Sequence, residues 1–143
     1  MSIQIVMMLP PGAASVSMAR HTLAEALRIE DVTPDCVHES QVALSEACTN
    51  VFHHAATSEN FEVLIGIGDR DLTLHILDSG PGPPTNGHHR AAWPDPTAEN
   101  GRGMALMNAF ADTASFDSLN GGGTVRLTKR LLRNAAVALP PAG

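Results

Sequence analysis

The stretch from Leu44 to Ala55 reads Leu-Ser-Glu-Ala-Cys-Thr-Asn-Val-Phe-His-His-Ala, and its polar members recur in a chemically useful order. Glu46, Asn50 and His54 stand at every fourth position, so a helix of 3.6 residues per turn stacks them as neighbours along one side. Leu44, Cys48, Val51 and Ala55 form an apolar stripe on another side, which can bury while the polar row need not. The Asn50 carboxamide is a hard oxygen ligand suited to Mg²⁺ bridging phosphates. Periodicity alone favours a solvated helix face for this row, and what shifts that reading lies further along the chain.

Two glycine-containing segments do so. Asp78-Ser79-Gly80-Pro81-Gly82 follows an apolar run, and Gly101-Arg102-Gly103 precedes one of helical period. Taken singly, the first is an ordinary turn and the second a flexible helix entry. Taken together they describe a nucleotide site. A carboxylate at a strand end can accept a hydrogen bond from an adenine amine, and the glycines after it let a ring approach the backbone. A helix opening at Gly101 to Gly103 points free amides and its positive dipole end at phosphates.

The elements that must hold these groups follow in order. Residues 3 to 9 are apolar, partly β-branched and stopped by Pro10-Pro11-Gly12, which predicts a first strand suited to a sheet edge. From Ser15 or Ser17, each a candidate cap, Val16, Ala19, Leu23, Ala26 and Leu27 recur at helical spacing to about Ile29. Thr33-Pro34-Asp35 combines a capping hydroxyl, proline at the first helical position and an early carboxylate, and predicts a second helix to about Ala56. Alternation in 61 to 68 and 72 to 77, around the polar turn Asp69-Arg70-Asp71, predicts an antiparallel hairpin. Residues 83 to 100 are a lid-like loop rich in Pro, Gly, Asn and His. Met104, Leu106, Met107, Phe110, Ala111 and Ala114 mark the face of a third helix, and Ala114 to Ser118 with Thr124 to Leu132 a second hairpin across Asn120-Gly121-Gly122-Gly123. The order β, α, α, β, β, lid, α, β, β predicts an α+β fold: a two-layer sandwich, mainly antiparallel, with helices on one sheet face. One domain over residues 1–134 is expected, with 135–143 as a flexible tail.

Composition excludes several other classes. The 143 residues carry nine Lys plus Arg against fifteen Asp plus Glu, a formal charge of −6, which gives no footprint for nucleic acid phosphates. Lys129 is the only lysine, so an anion site must use arginine, backbone amides or a metal. Cys36 and Cys48 lack the CxxC spacing of a zinc knuckle and are expected reduced. No window approaches the roughly 18 apolar residues that span a bilayer, and no signal sequence opens the chain, so a cytoplasmic address is expected.

In these residues the chain resembles the GHKL, or Bergerat-fold, ATP-binding superfamily and within it the bacterial anti-sigma factor serine kinases. Glu46-Ala47-Cys48-Thr49-Asn50 with His54 looks like the family's N box, Asp78 to Gly82 like its G1 box, and Gly101 to Met107 like its G2 box. Gly123-Thr124-Val125-Arg126-Leu127 is similar to the strand carrying the adenine-side threonine, and the likeness runs in one order from about residue 3 to 133. The resemblance implies ATP and Mg²⁺ as cofactors, with Glu46 as general base, Asn50 as the Mg²⁺ ligand, Asp78 as adenine reader and Thr124 as its helper. Gly80, Gly82, Gly101, Gly103 and Met104 would line the nucleotide. Arg102 is the first candidate for a phosphate-facing cation and Arg90 the second. Arg20 would touch a partner, and His88 and His89 receive no role. The implied protein is a serine kinase that binds a sigma factor and phosphorylates an anti-anti-sigma antagonist, as a homodimer with no direct contact to nucleic acid or membrane. Its rivals are a non-catalytic ATP-binding regulatory module and the detached catalytic domain of a histidine kinase.

Overall fold

The structure, a computed structural model, describes residues 2–54, 60–78, 110–119 and 122–135. Its elements are β1 (Ile3–Leu9), α1 (Ala13–Ile29), α2 (Pro34–His54), β2 (Phe61–Ile67), β3 (Asp71–Asp78), β4 (Thr113–Leu119) and β5 (Gly122–Arg130). The strands form one antiparallel sheet in the order β1-β2-β3-β5-β4, so β1 is an edge as expected.

Strand alternation decides which face is buried. Phe61, Val63, Ile65 and Ile67 of β2, Leu72, Leu74 and Ile76 of β3, and Val125 and Leu127 of β5 are all buried. The residues between them stay half-buried or exposed. Both helices cover the buried face, α1 against β1 and β2 and α2 against β3 and β5, and Leu23, Leu27, Leu44 and Val51 enter the core from their apolar stripes. The two-layer α+β sandwich is the predicted one.

Capping chemistry sets the helix ends. Thr33 Oγ1 accepts a hydrogen bond from Cys36 N at 3.3 Å, so Thr33 caps the third helical residue and Pro34 opens α2. The start of α1 differs from expectation: the helix begins at Ala13 behind Gly12, whose φ of 139° suits glycine, and neither Ser15 nor Ser17 caps it. Ser15 is instead buried within α1. At its other end Asp31 takes φ 60°, Asp31 N donates to Arg28 O at 3.0 Å and Val32 N to Leu27 O at 3.0 Å, a pattern that turns the chain into α2.

Two other boundaries are corrected. Ala114, counted on the face of a third helix, lies in β4; of that segment Phe110 is helical and Thr113 is already strand. The second hairpin closes at Arg130, and Leu131 and Leu132 lie beyond the strand.

Candidate functional site

α2 runs along the sheet in the direction of β3. At its start Thr33 N donates to Leu132 O at 2.8 Å and Cys36 Sγ to Arg130 O at 3.8 Å, while Arg130 pairs with Asp71, the first residue of β3. At its end α2 leads through residues 55–60 to Phe61, which pairs with Asp78, the last residue of β3. From Cys36 to Asn50 the helix rises about 21 Å at about 1.5 Å per residue. From Asp71 to Asp78 the strand advances about 24 Å at about 3.4 Å per residue. Asn50 and Asp78 therefore lie at matching depth, at the same end of the two layers, with Glu46 one helical turn behind.

Asn50 is 3% exposed, and its amide nitrogen has no hydrogen-bond partner among the described residues. A buried amide with unmet bonding capacity costs about 1–3 kcal/mol, which marks the position as kept for something other than packing. Glu46 is half-buried on the same row. Cys48, between them in sequence, belongs to the core, where burial pushes its thiol up to about 12 and leaves no thiolate for chemistry.

On the sheet side Asp78 follows Leu74 and Ile76 onto the face that α2 covers. Thr124 pairs with Leu77 and shares the outer face with Leu77 and Arg126. The register brings Thr124 beside Asp78 along the sheet, on the opposite face. The inner position next in register to Asp78 falls to the buried Gly123.

The expected Gly80, Gly82, Arg90, Gly101, Arg102, Gly103 and Met104, with His88 and His89, lie outside the described residues. His54 ends α2. Arg20 is exposed on α1, and its carbonyl accepts Gln41 Nε2 of α2 at 3.2 Å. Two clefts of about 400 Å³ lie elsewhere. One is lined by Arg28, His38, Gln41 and Asn134 beside the α1–α2 turn, the other by Gln4, His75 and Arg126 on the outer sheet face, and neither is lined by Glu46, Asn50 or Asp78.

Among the described residues no group of three or more His, Cys, Asp or Glu could hold a metal by itself. The carboxamide oxygen of the buried Asn50 is nevertheless a donor type that suits a divalent cation shared with phosphate oxygens, since Mg²⁺ takes one or two protein oxygens and completes its shell from nucleotide and water. Sequence reasoning missed two polar ties: the pair Lys129–Glu39, which joins α2 to the sheet, and the side chain of Arg133, which joins the α1–α2 turn to the β2–β3 turn. Lys129 was detectable in principle, as a lone lysine in phase with Val125 and Leu127.

An open antiparallel sheet covered on one face by two helices is the fold of the GHKL class of nucleotide-binding domains. Residues 9–129 match the model of the histidine kinase-like ATPase domain. The serine-protein kinase RsbW of Bacillus velezensis is 31% identical over 141 residues, covering 89% of this chain and 85% of the relative. RsbW of Bacillus thuringiensis is 29% identical over 139 residues, covering 91% and 86%. Two solved structures share the fold. The RsbU and RsbW domains of Rv1364c from Mycobacterium tuberculosis give a TM-score of 0.70 at 20% identity, over 93% of this chain and 34% of that one. The SiaB–SiaC complex of Pseudomonas aeruginosa gives 0.59 at 15%, over 87% and 88%. The chain belongs to the histidine kinase-like ATPase family, on its branch of RsbW serine-protein kinases.

Proposed function

We propose that this chain is an ATP- and Mg²⁺-dependent protein serine kinase of the cytoplasm that sequesters an RNA polymerase sigma factor and inactivates an anti-anti-sigma antagonist by phosphorylating it. The observation that carries the reading is the buried Asn50 amide one helical turn from Glu46, at the end of the sheet where Asp78 stands.

In this reading Glu46 takes the proton from the antagonist's serine hydroxyl as its oxygen bonds to the γ-phosphorus of ATP. The bond from that phosphorus to the β–γ bridging oxygen breaks, and ADP leaves with the electron pair. Asn50 would hold Mg²⁺, which would supply charge neutralisation at the transferring phosphates. Asp78 accepts the adenine amine. Gly80, Gly82, Gly101, Gly103 and Met104 give the nucleotide room, and Arg102 faces its phosphates. Arg20 is a contact for the protein partners, residues 1–134 make the working unit, and two copies associate, which mass measurement in solution checks.

Incubation with ATP, Mg²⁺ and a cognate antagonist should place label on a serine. Glu46→Gln should lower the rate by about 10²–10⁴-fold while ATP still binds, because the amide keeps the shape but cannot accept the proton. Bound ATP with no label on any candidate antagonist would return the domain to a nucleotide-dependent binding module.

A further inference from the structure

The helix-facing positions of β5 run Val125, Leu127, Lys129, so the chain's single lysine occupies a site where alternation calls for hydrocarbon. It lies opposite Leu72 in register, and its ammonium donates to Glu39 Oε1 of α2 at 3.1 Å. The lysine side chain is 13% exposed and the glutamate 37%. Such a pair adds little to stability, since desolvation offsets most of the attraction and an apolar residue of similar volume packs as well. What it supplies instead is direction, because the bond favours rotations of α2 that keep Glu39 turned toward the end of β5.

That rotation bears on the site. At about 100° per residue, Glu46 falls about 20° to one side of Glu39 around the helix and Asn50 about 20° to the other. The three share one stripe, and Lys129 grips its N-terminal end. Side-chain tips lie about 5–6 Å from a helix axis, so a 20° turn of α2 carries them by about 2 Å. Misplacement of a reacting group by about 1 Å is enough to cost about a hundredfold in rate.

We propose that Lys129, acting through Glu39, is a positioning residue that sets the rotation of α2 so that Glu46 and Asn50 face the nucleotide end of the sheet. The proposal rests on the kinase reading above. Its test compares the full chain with Lys129→Met, which keeps the stem and loses the charge, with Lys129→Arg, and with the exchanged pair Glu39→Lys plus Lys129→Glu. Three quantities are read: kcat and KM for serine labelling, ATP affinity by calorimetry with and without Mg²⁺, and the melting temperature.

Lys129→Met should lower kcat by about tenfold or more and shrink the gain in ATP affinity that Mg²⁺ brings, at nearly unchanged melting temperature. Arginine or the exchanged pair should restore both. A kcat and Mg²⁺ effect within about twofold of the parent in Lys129→Met overturns the proposal. So does a loss that tracks a fall in melting temperature, or one that the exchanged pair leaves uncorrected. If the parent chain binds ATP but labels nothing, the kinase reading fails and the Mg²⁺-dependent affinity still decides the role of Lys129.

Discussion

Asn50 is a carboxamide held where hydrocarbon would pack better, between Cys48 and Val51 in a helix whose Leu44, Cys48 and Val51 are all buried. Because its amide nitrogen has no partner among the described residues, truncation removes an unmet polar group along with the contacts of the side chain. Asn50→Ala should therefore change unfolding free energy by no more than about 1 kcal/mol, against about 2–5 kcal/mol for Leu44→Ala in the same helix. The same substitution should abolish the Mg²⁺ dependence of ATP binding, a separation that urea titration and calorimetry on one pair of variants would read. His75 illustrates a different residue-scale effect, on the outer sheet face away from the site. Burial and then the neighbouring Arg126 guanidinium lower its pKa from the usual 6.5, and Glu62 opposes them in part. Below about 6.5 the unfolded chain binds a proton that the folded chain resists, so folding stability falls as pH drops through that range to the lowered value. In His75→Gln this part of the acid sensitivity should vanish, seen as a smaller difference in urea midpoint between about pH 7.5 and pH 5.

At the scale of elements, α2 is the member that turns core packing into site geometry, and its start is secured by Thr33. Thr33→Ala removes the acceptor of the Cys36 amide and should cost about 1 kcal/mol, while Thr33→Ser keeps most of it; denaturant midpoints at unchanged slope would show both. This start was legible because threonine, proline and aspartate each act within one turn, with no need of tertiary information. The hairpin of β2 and β3 was legible for a similar reason: a period of two around a short polar turn admits few alternatives, and Gly68 N donates to Asp71 O at 2.9 Å at that turn. Ala111 misled because a small apolar residue can satisfy a helical period outside a helix, while Ala114, which fitted both a helix face and the start of the second hairpin, belongs to the strand. The start of α1 misled because serines inside a first turn resemble caps, whereas the left-handed Gly12 makes the break in the backbone itself. The face of Thr124 was legible from the alternation that buries Val125 and Leu127, whereas its partner Leu77, 47 positions away in the chain, was not. The row of Glu46 and Asn50 was visible as a pattern, but its burial depended on where α2 lies over β3 and β5.

For the whole molecule, the weak point of an open two-layer sandwich is the end at which its turns meet. Here the α1–α2 turn, the β2–β3 turn and the segment after β5 converge there. Arg133 joins all three. Its Nε donates to Glu30 O at 3.1 Å, its Nη2 to Gly68 O at 3.2 Å, and its Nη1 to Asp69 O, while Val32 and Arg133 form a β-bridge. Asn134 adds bonds from its backbone and side-chain amides to Asp31, at 2.9 Å and 3.2 Å to the carbonyl and 2.9 Å to the carboxylate. A planar cation with several donors in fixed directions can serve three carbonyls at once, which neither lysine nor methionine can do. Arg133→Met keeps the apolar stem but leaves those carbonyls to water or to nothing, a loss of about 1–3 kcal/mol and about 3–10 °C in melting temperature for a domain of this size. Arg133→Lys should recover only a minor part, because one ammonium cannot replace the fork. The clasp lies at the end of the sheet opposite Asp78, so ATP affinity in folded Arg133→Met should stay within about twofold of the parent while its melting temperature falls. A parallel loss of affinity and stability would instead mean that α2 is set by this clasp rather than by the contacts along its length.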